Sequence, residues 1–209
     1  MFDFSPERLL ALAILFLTSL PVHEWAHAWV AFQLGDDTAA RRGRLTINPL
    51  AHLDPIGTIT LVLFGYGWGK PVPVATHRLR GNRRASEALV SLAGPLSNLL
   101  LAMIAAIPLR MGWLFGTSAM NLSLQETLFS FILINLSLMV FNLIPVPPLD
   151  GASVLAWLLP PPLARMLDHL KRFGGVGLFA VLFFLSRLGL FTAIMGPTVG
   201  FLLRALLFW

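Results

Sequence analysis

The 209-residue chain contains no cysteine. Disulfide staples are therefore excluded, and so is thiolate ligation of any metal. Charge is scarce as well. Asp, Glu, Lys and Arg make up 12% of the residues, about half of what a soluble domain usually carries. No long hydrophilic stretch, internal repeat or low-complexity tract interrupts the chain, so an appended soluble domain is not expected. Apolar residues fill the sequence instead, at 56%, with a mean hydropathy of +0.77. That composition belongs to an integral membrane protein embedded in a lipid bilayer. Fifteen basic against ten acidic residues leave a formal charge of +5. The basic residues gather in short loops, the positive-inside pattern, and no nucleic-acid partner is expected. The first apolar stretch is too long, and too mixed in charge at its start, to be a cleavable signal peptide.

Read along the chain, the first span covers residues 6–35 and ends at Gly35-Asp36-Asp37. A basic cluster follows (Arg41, Arg42, Arg44), then turn signals at Asn48-Pro49 and Asp54-Pro55. Residues 56–64 are apolar and β-branched, followed by Gly65, Gly67 and Gly69. This stretch is too short to span as a helix. The next loop (Lys70, Arg78, Arg80, Arg83, Arg84) is basic again. Both flanks thus favour one side, and residues 41–75 read as a re-entrant element built around a short β-sheet, shielded by protein or a wet cavity, with a short, strongly kinked span as the alternative. A second span covers residues 85–109, and residues 111–125, without charge, read as an outside loop. A third apolar segment, residues 126–159, is broken by Pro145, Pro147 and Pro148. Arg165, Lys171 and Arg172 return the chain to the cytoplasm, and residues 173–209 hold one or two further spans. The expected fold is an α-helical integral membrane protein of four to five transmembrane helices, with a β-containing re-entrant element between the first two, as one domain over residues 1–209.

Within the first apolar segment stands His23-Glu24-Trp25-Ala26-His27. Two imidazoles and a carboxylate are costly to hold in lipid and need a compensating partner. Residues i and i+4 share one helix face, so His23 and His27 can bind one Zn²⁺ together. Glu24 lies about 100° round the helix, beside the ion and free to act on water. Without a metal, three polar groups on adjacent turns would be left with too many unsatisfied donors and acceptors.

A catalytic zinc takes three protein ligands and keeps a position open. His77 and His169 lie in basic loops and read as solvated surface. Asp150 is the favoured third ligand. It follows the irregular run Asn142-Leu143-Ile144-Pro145-Val146-Pro147-Pro148-Leu149, and helix breaks inside membranes mark binding sites. Gly151 lets the backbone turn after the carboxylate. Two other readings stay open here: Asp150 as a helix N-cap, and His52 or Asp54 as the ligand. An N-terminus outside places His23 and His27 toward the cytoplasmic half of the first span and Asp150 near the cytoplasmic end of the third segment.

These residues resemble the site-2 protease family of intramembrane zinc metalloproteases. The likeness covers roughly residues 22–158. It includes the H-E-W-A-H run, Gly43-Arg44-Leu45-Thr46-Ile47-Asn48-Pro49, Trp68-Gly69-Lys70-Pro71-Val72-Pro73-Val74, Ala93-Gly94-Pro95-Leu96-Ser97-Asn98 and the Asn142 to Gly151 run. The resemblance implies His23, His27 and Asp150 as ligands of one Zn²⁺, Glu24 as catalytic base, and Asn142 as a residue that holds substrate near the metal. The implied substrate is the transmembrane segment of another protein. With no organelle signal visible and the basic loops inside, a multi-pass protein of the cell membrane with its site toward the cytoplasmic side is expected. Many members carry a PDZ or CBS module; this sequence reads as the catalytic core without either.

Two rival classes are weighed against this. A di-iron oxidase needs a second E-x-x-H, and neither Glu87 nor Glu126 has histidine three residues on. A non-catalytic metal-binding protein or transporter shares broken helices and buried acids, but leaves Glu24 without a role.

Overall fold

The computed structural model describes residues 6–64, 69–113, 119–170, 187 and 189–207. Secondary structure among them is helical, with no strand. The chain begins with α1 (Pro6–Ile14), a π-helical turn (Leu15–Ser19) and α2 (Leu20–Gln33). The three run on as one rod, Leu9–Gln33. Pro21 has no N–H to give to the preceding turn. Just ahead of it the ladder widens, and the Leu20 N–H reaches back five residues to the Leu15 carbonyl. Short helices α3 (Thr38–Arg41), α4 (Pro49–His52) and α5 (Pro55–Phe64) follow, then a 3₁₀ turn (Thr76–Arg78). The long helices α6 (Arg83–Arg110) and α7 (Ala119–Asn142) come next, then α8 (Asp150–Leu158), α9 (Pro161–Leu170) and α10 (Leu190–Leu207).

Among the described residues, three helices are long and apolar enough to cross a membrane: Leu9–Gln33, Arg83–Arg110 and Met120–Asn142. At 1.5 Å per residue each exceeds the roughly 30 Å hydrocarbon core. The chain is a helical membrane protein. The expected total of four to five spans rests partly on residues 171–186, which lie outside the described residues, as do Gly65, Gly67 and Trp68. The core sits where α6, α7 and α10 meet, at Ala102, Ala105, Ala106, Ile132, Leu136, Val140 and Val199. Three alanines on α6 let the larger side chains of α7 come close. Helix α6 packs against α2, α7 and α8 and so links every element of the site described below.

Two expectations are corrected. Residues 41–75 were expected to hold a short β-sheet, and their described part holds none; residues 55–64 are helix α5. The Asp54-Pro55 pair, read as a turn, starts this helix. The Asp54 carboxylate accepts the Gly57 N–H at 2.8 Å and its carbonyl accepts the Thr58 N–H. Proline fits the first helical position, where its missing N–H costs nothing. Thr60 turns its hydroxyl onto the Ile56 and Gly57 carbonyls of its own helix, so β-branching here does not make a strand. Ten residues rise only about 15 Å, so α5 does not span. The uncharged stretch 111–125 was expected to be loop, but α7 already begins at Ala119.

Candidate metal centre

His23 and His27 stand one turn apart on α2, both buried, with their Nε2 atoms 3.0 Å from each other. The Asp150 Oδ2 lies 3.2 Å from His23 Nε2 and 3.3 Å from His27 Nε2. Among the described residues these three form the one group of three or more His, Asp or Glu arranged to hold a metal. Asp150 is the first residue of α8, after an N-cap at Leu149, so its side chain is not spent on capping. The other readings of the third ligand lose their ground. Asp54 caps α5, and buried His52 gives its Nε2 proton to the Thr46 carbonyl at 2.7 Å.

Two close approaches make the site possible. Gly94 of α6 faces the imidazoles directly: a Cβ there would stand 2.6 Å from His23 Cε1 and Nε2, and closer still to His27 Nε2. Gly151 brings the first turn of α8 against the preceding break. A Cβ there would meet the Leu143 carbonyl carbon at 2.5 Å and the Ile144 oxygen at 2.7 Å. The absence of two methyl groups thus leaves room for an ion and lets Asp150 swing toward it.

The donor set fits a divalent cation. His27 Nδ1 lies 2.7 Å from the Val90 carbonyl, which can only accept, so this nitrogen carries the proton and Nε2 keeps its lone pair. His23 Nδ1 lies 2.6 Å from Asn98 Oδ1. Asp150 Oδ2 is buried with no hydrogen-bond partner. Two imidazole lone pairs and an orphaned carboxylate oxygen aimed at one point repel one another unless a cation lies among them.

Glu24 stands beside this cluster. Its Oε2 accepts the Val72 N–H at 3.1 Å. Val72 belongs to residues 69–75, a strap without helix or strand that is tied down at both ends. At one end the Lys70 N–H donates to the His52 carbonyl (2.8 Å) and the Lys70 carbonyl accepts from Arg44 Nη2 (2.6 Å). At the other, the Ala75 N–H donates to Asp36 Oδ2 at 2.5 Å. Burial pushes the Asp36 carboxyl up, but bonds from the Thr38 hydroxyl, the Ala75 N–H and the Thr38 N–H outweigh it and hold the group below its ordinary range. Burial lowers the Arg44 guanidinium, a cation that also feels the Glu24 charge.

Residues 108–181 match the model of peptidase family M50. Over 175 residues the chain is 42% identical to a Bacillus subtilis protein named "Putative zinc metalloprotease YwhC", covering 82% of this chain and 79% of that one. The chain belongs to peptidase family M50, the site-2 protease family. It is also similar to proteins named "Putative zinc metalloprotease Rip2". One, from Mycolicibacterium smegmatis, is 32% identical over 169 residues (76% of this chain, 61% of the relative). Another, from Mycobacterium tuberculosis, is 36% identical over 176 residues (81% and 64%). The M50 chain therefore spans less than two thirds of the length of these mycobacterial relatives. No solved structure matches it.

The fifth expected site residue, Asn142, closes α7, and its amide donates to the Leu138 carbonyl at 3.0 Å. Sequence reasoning assigned no role to Gly94, Val90, Asn98 or Asn135. Two asparagines inside apolar helices were the available clue, because an intramembrane amide must find a partner. Both are fully buried. Asn98 Nδ2 donates to Asn135 Oδ1 (2.9 Å) and to the Ser19 carbonyl (3.3 Å), and Asn135 Nδ2 donates to the Phe131 carbonyl (2.9 Å). Left unpaired, each such group would cost about 1–3 kcal/mol.

Proposed function

We propose that this M50 protein is a zinc endopeptidase that hydrolyses a peptide bond in the membrane-embedded segment of another protein. The convergence of His23 Nε2, His27 Nε2 and the orphaned Asp150 Oδ2 beside Glu24 carries the reading. His23, His27 and Asp150 would hold one Zn²⁺ per chain. When bound, zinc supplies a Lewis acid that polarises the scissile carbonyl and acidifies water.

The chain's own groups account for the proton traffic. The Val72 N–H holds Glu24 Oε2 and fixes the carboxylate, which leaves Oε1 for water. Glu24 takes the water proton as the oxygen attacks the carbonyl, then returns it to the leaving amide nitrogen. Water and one peptide bond become a carboxylic acid and an amine. Asn142 would turn its amide from Leu138 to the substrate carbonyl or the developing oxyanion. A helical substrate hides its peptide bonds in its own hydrogen bonds, so it must unwind before cleavage.

The protein acts in the cell membrane as a multi-pass enzyme in one membrane-embedded unit over residues 1–209. Its site lies toward the cytoplasmic side, where the basic loops place residues 41–44 and 70–84. The test is metal content measured beside cleavage of a model transmembrane substrate in detergent. Wild type should hold one zinc and cut. Glu24→Gln should keep the zinc and lose roughly 10²–10⁴-fold in rate. A Glu24→Gln variant that cuts as fast as wild type would remove Glu24 from the reaction, and a wild type that binds no metal would end the reading.

A further inference from the structure

The polar groups behind His23 form a chain with one allowed direction. It starts at the Phe131 carbonyl, a pure acceptor, which obliges Asn135 to present its Nδ2 there and its Oδ1 toward α6. That oxygen in turn obliges Asn98 to present its Nδ2 to α7. The Ser19 carbonyl, in the π-helical turn one helical turn before His23, makes the same demand of Asn98 from the other side. Asn98 Oδ1 is then the atom left for His23, 2.6 Å from Nδ1. Facing an acceptor, Nδ1 must carry the imidazole proton, so the lone pair sits on Nε2, toward Asp150 and His27.

We infer that Asn98, oriented by Asn135 and the Ser19 carbonyl, is a positioning residue that sets the tautomer and ring angle of His23 for metal binding. The inference rests on the zinc reading above. His23 and His27 are served by different devices. Val90 offers His27 a backbone carbonyl that cannot be flipped, whereas a side-chain amide offers His23 either an acceptor or a donor, according to which way it is turned. Asn135, together with the Ser19 carbonyl, removes that ambiguity. It explains why two amides, and not one, are buried between α2, α6 and α7, and why the Leu15–Ser19 turn keeps a carbonyl aimed at α6. Outer partners of this kind typically change metal affinity by about 10–100-fold when removed.

The test uses the full chain in detergent, with Zn²⁺ affinity from chelator competition, the visible spectrum of the Co²⁺-substituted protein, and Tm. Asn98→Leu should weaken zinc roughly 10–100-fold and alter the Co²⁺ bands. Asn98→Asp keeps an oxygen for His23 but removes the donor to Asn135 and Ser19. It should lower Tm while zinc stays bound far more tightly than in Asn98→Leu; affinity lost in the Leu variant and retained in the Asp variant, at comparable Tm, is a split that a merely structural residue would not show. Asn135→Leu, which touches no ligand, should change the spectrum less than Asn98→Leu, because Ser19 still holds the amide. Zinc affinity in Asn98→Leu equal to wild type would overturn the inference. If Asn98→Leu does not accumulate, loss of zinc from folded Asn98→Asp overturns it instead. Wild type that binds no zinc would sink the functional reading itself; wild type with zinc and an indifferent Asn98 sinks only this inference.

Discussion

His23 and His27 reach the metal site from one regular helix, while Asp150 reaches it from the first residue of a helix that follows a broken stretch of backbone. The two sides are held differently. The histidines are backed by fixed acceptors, Val90 and Asn98, which leave little freedom at either ring. Asp150 Oδ2 has no partner at all besides the imidazoles, and its approach depends on Gly151 touching the Leu143 and Ile144 carbonyls. One side of the site is set by helical periodicity and hydrogen bonds, the other by how closely two pieces of backbone can pack. The pairing of the two imidazoles is a local property of five residues, although their acceptors come from α6. The second side exists only once α8 has packed against α6 and its first turn against residues 143–144.

Single methyl groups should break the two sides separately. Gly94→Ala puts a carbon against both Nε2 atoms, in the space an ion would need, and should abolish stoichiometric zinc; metal analysis of the purified variant reads it directly. Gly151→Ala should act on the aspartate side alone. It forces α8 away from residues 143–144 at a cost of about 1–3 kcal/mol, and should weaken zinc while a His23–His27 pair remains able to bind Co²⁺ loosely. Equal metal loss in both variants, with the same Co²⁺ spectrum, would mean that the two sides do not move independently.

The strap offers a gentler comparison, between a carboxylate that ties backbone and one that serves the site. Asp36 is held below its ordinary range, so its bonds to Thr38 and Ala75 are fully present above the unfolded value of about 3.9 and are lost as pH falls through the lower native value. Tm should therefore drop on acidification below pH ~4 more steeply in wild type than in Asp36→Asn, which lacks that titration. Parallel curves would show that the tie contributes nothing to folding. The smallest effect is reserved for Asp54→Ala. Loss of the α5 cap should cost about 1 kcal/mol and leave zinc content untouched, as suits an acid that lies outside the site.

Much of the site was legible in the sequence because its first half is periodic. H-E-x-x-H needs only helix geometry to bring His23 and His27 together, and Asp150 stood out as an acid after a proline-rich break. The middle of the chain was read less well. Residues 56–64 have strand-like composition, but Asp54 and Pro55 start a helix there, and start signals of this kind look like turns when only local sequence is read. Asn98 was noticed within a motif without a role, and Asn135 was not singled out, because the partner of each lies on another helix.

By itself the sequence determined the membrane class, the histidine pair, the neighbouring Glu24 and the exclusion of thiolate ligands. These follow from composition and from spacing along one element, where sequence distance and spatial distance are the same thing. Only the tertiary structure decided that Asp150 and not Asp54 or His52 completes the cluster, that Val72 holds Glu24, and that two asparagines stand behind His23. Those choices depend on contacts between helices far apart in the chain. They are made by packing, through small residues at Gly94 and Gly151, and by the demand that every buried amide find a partner.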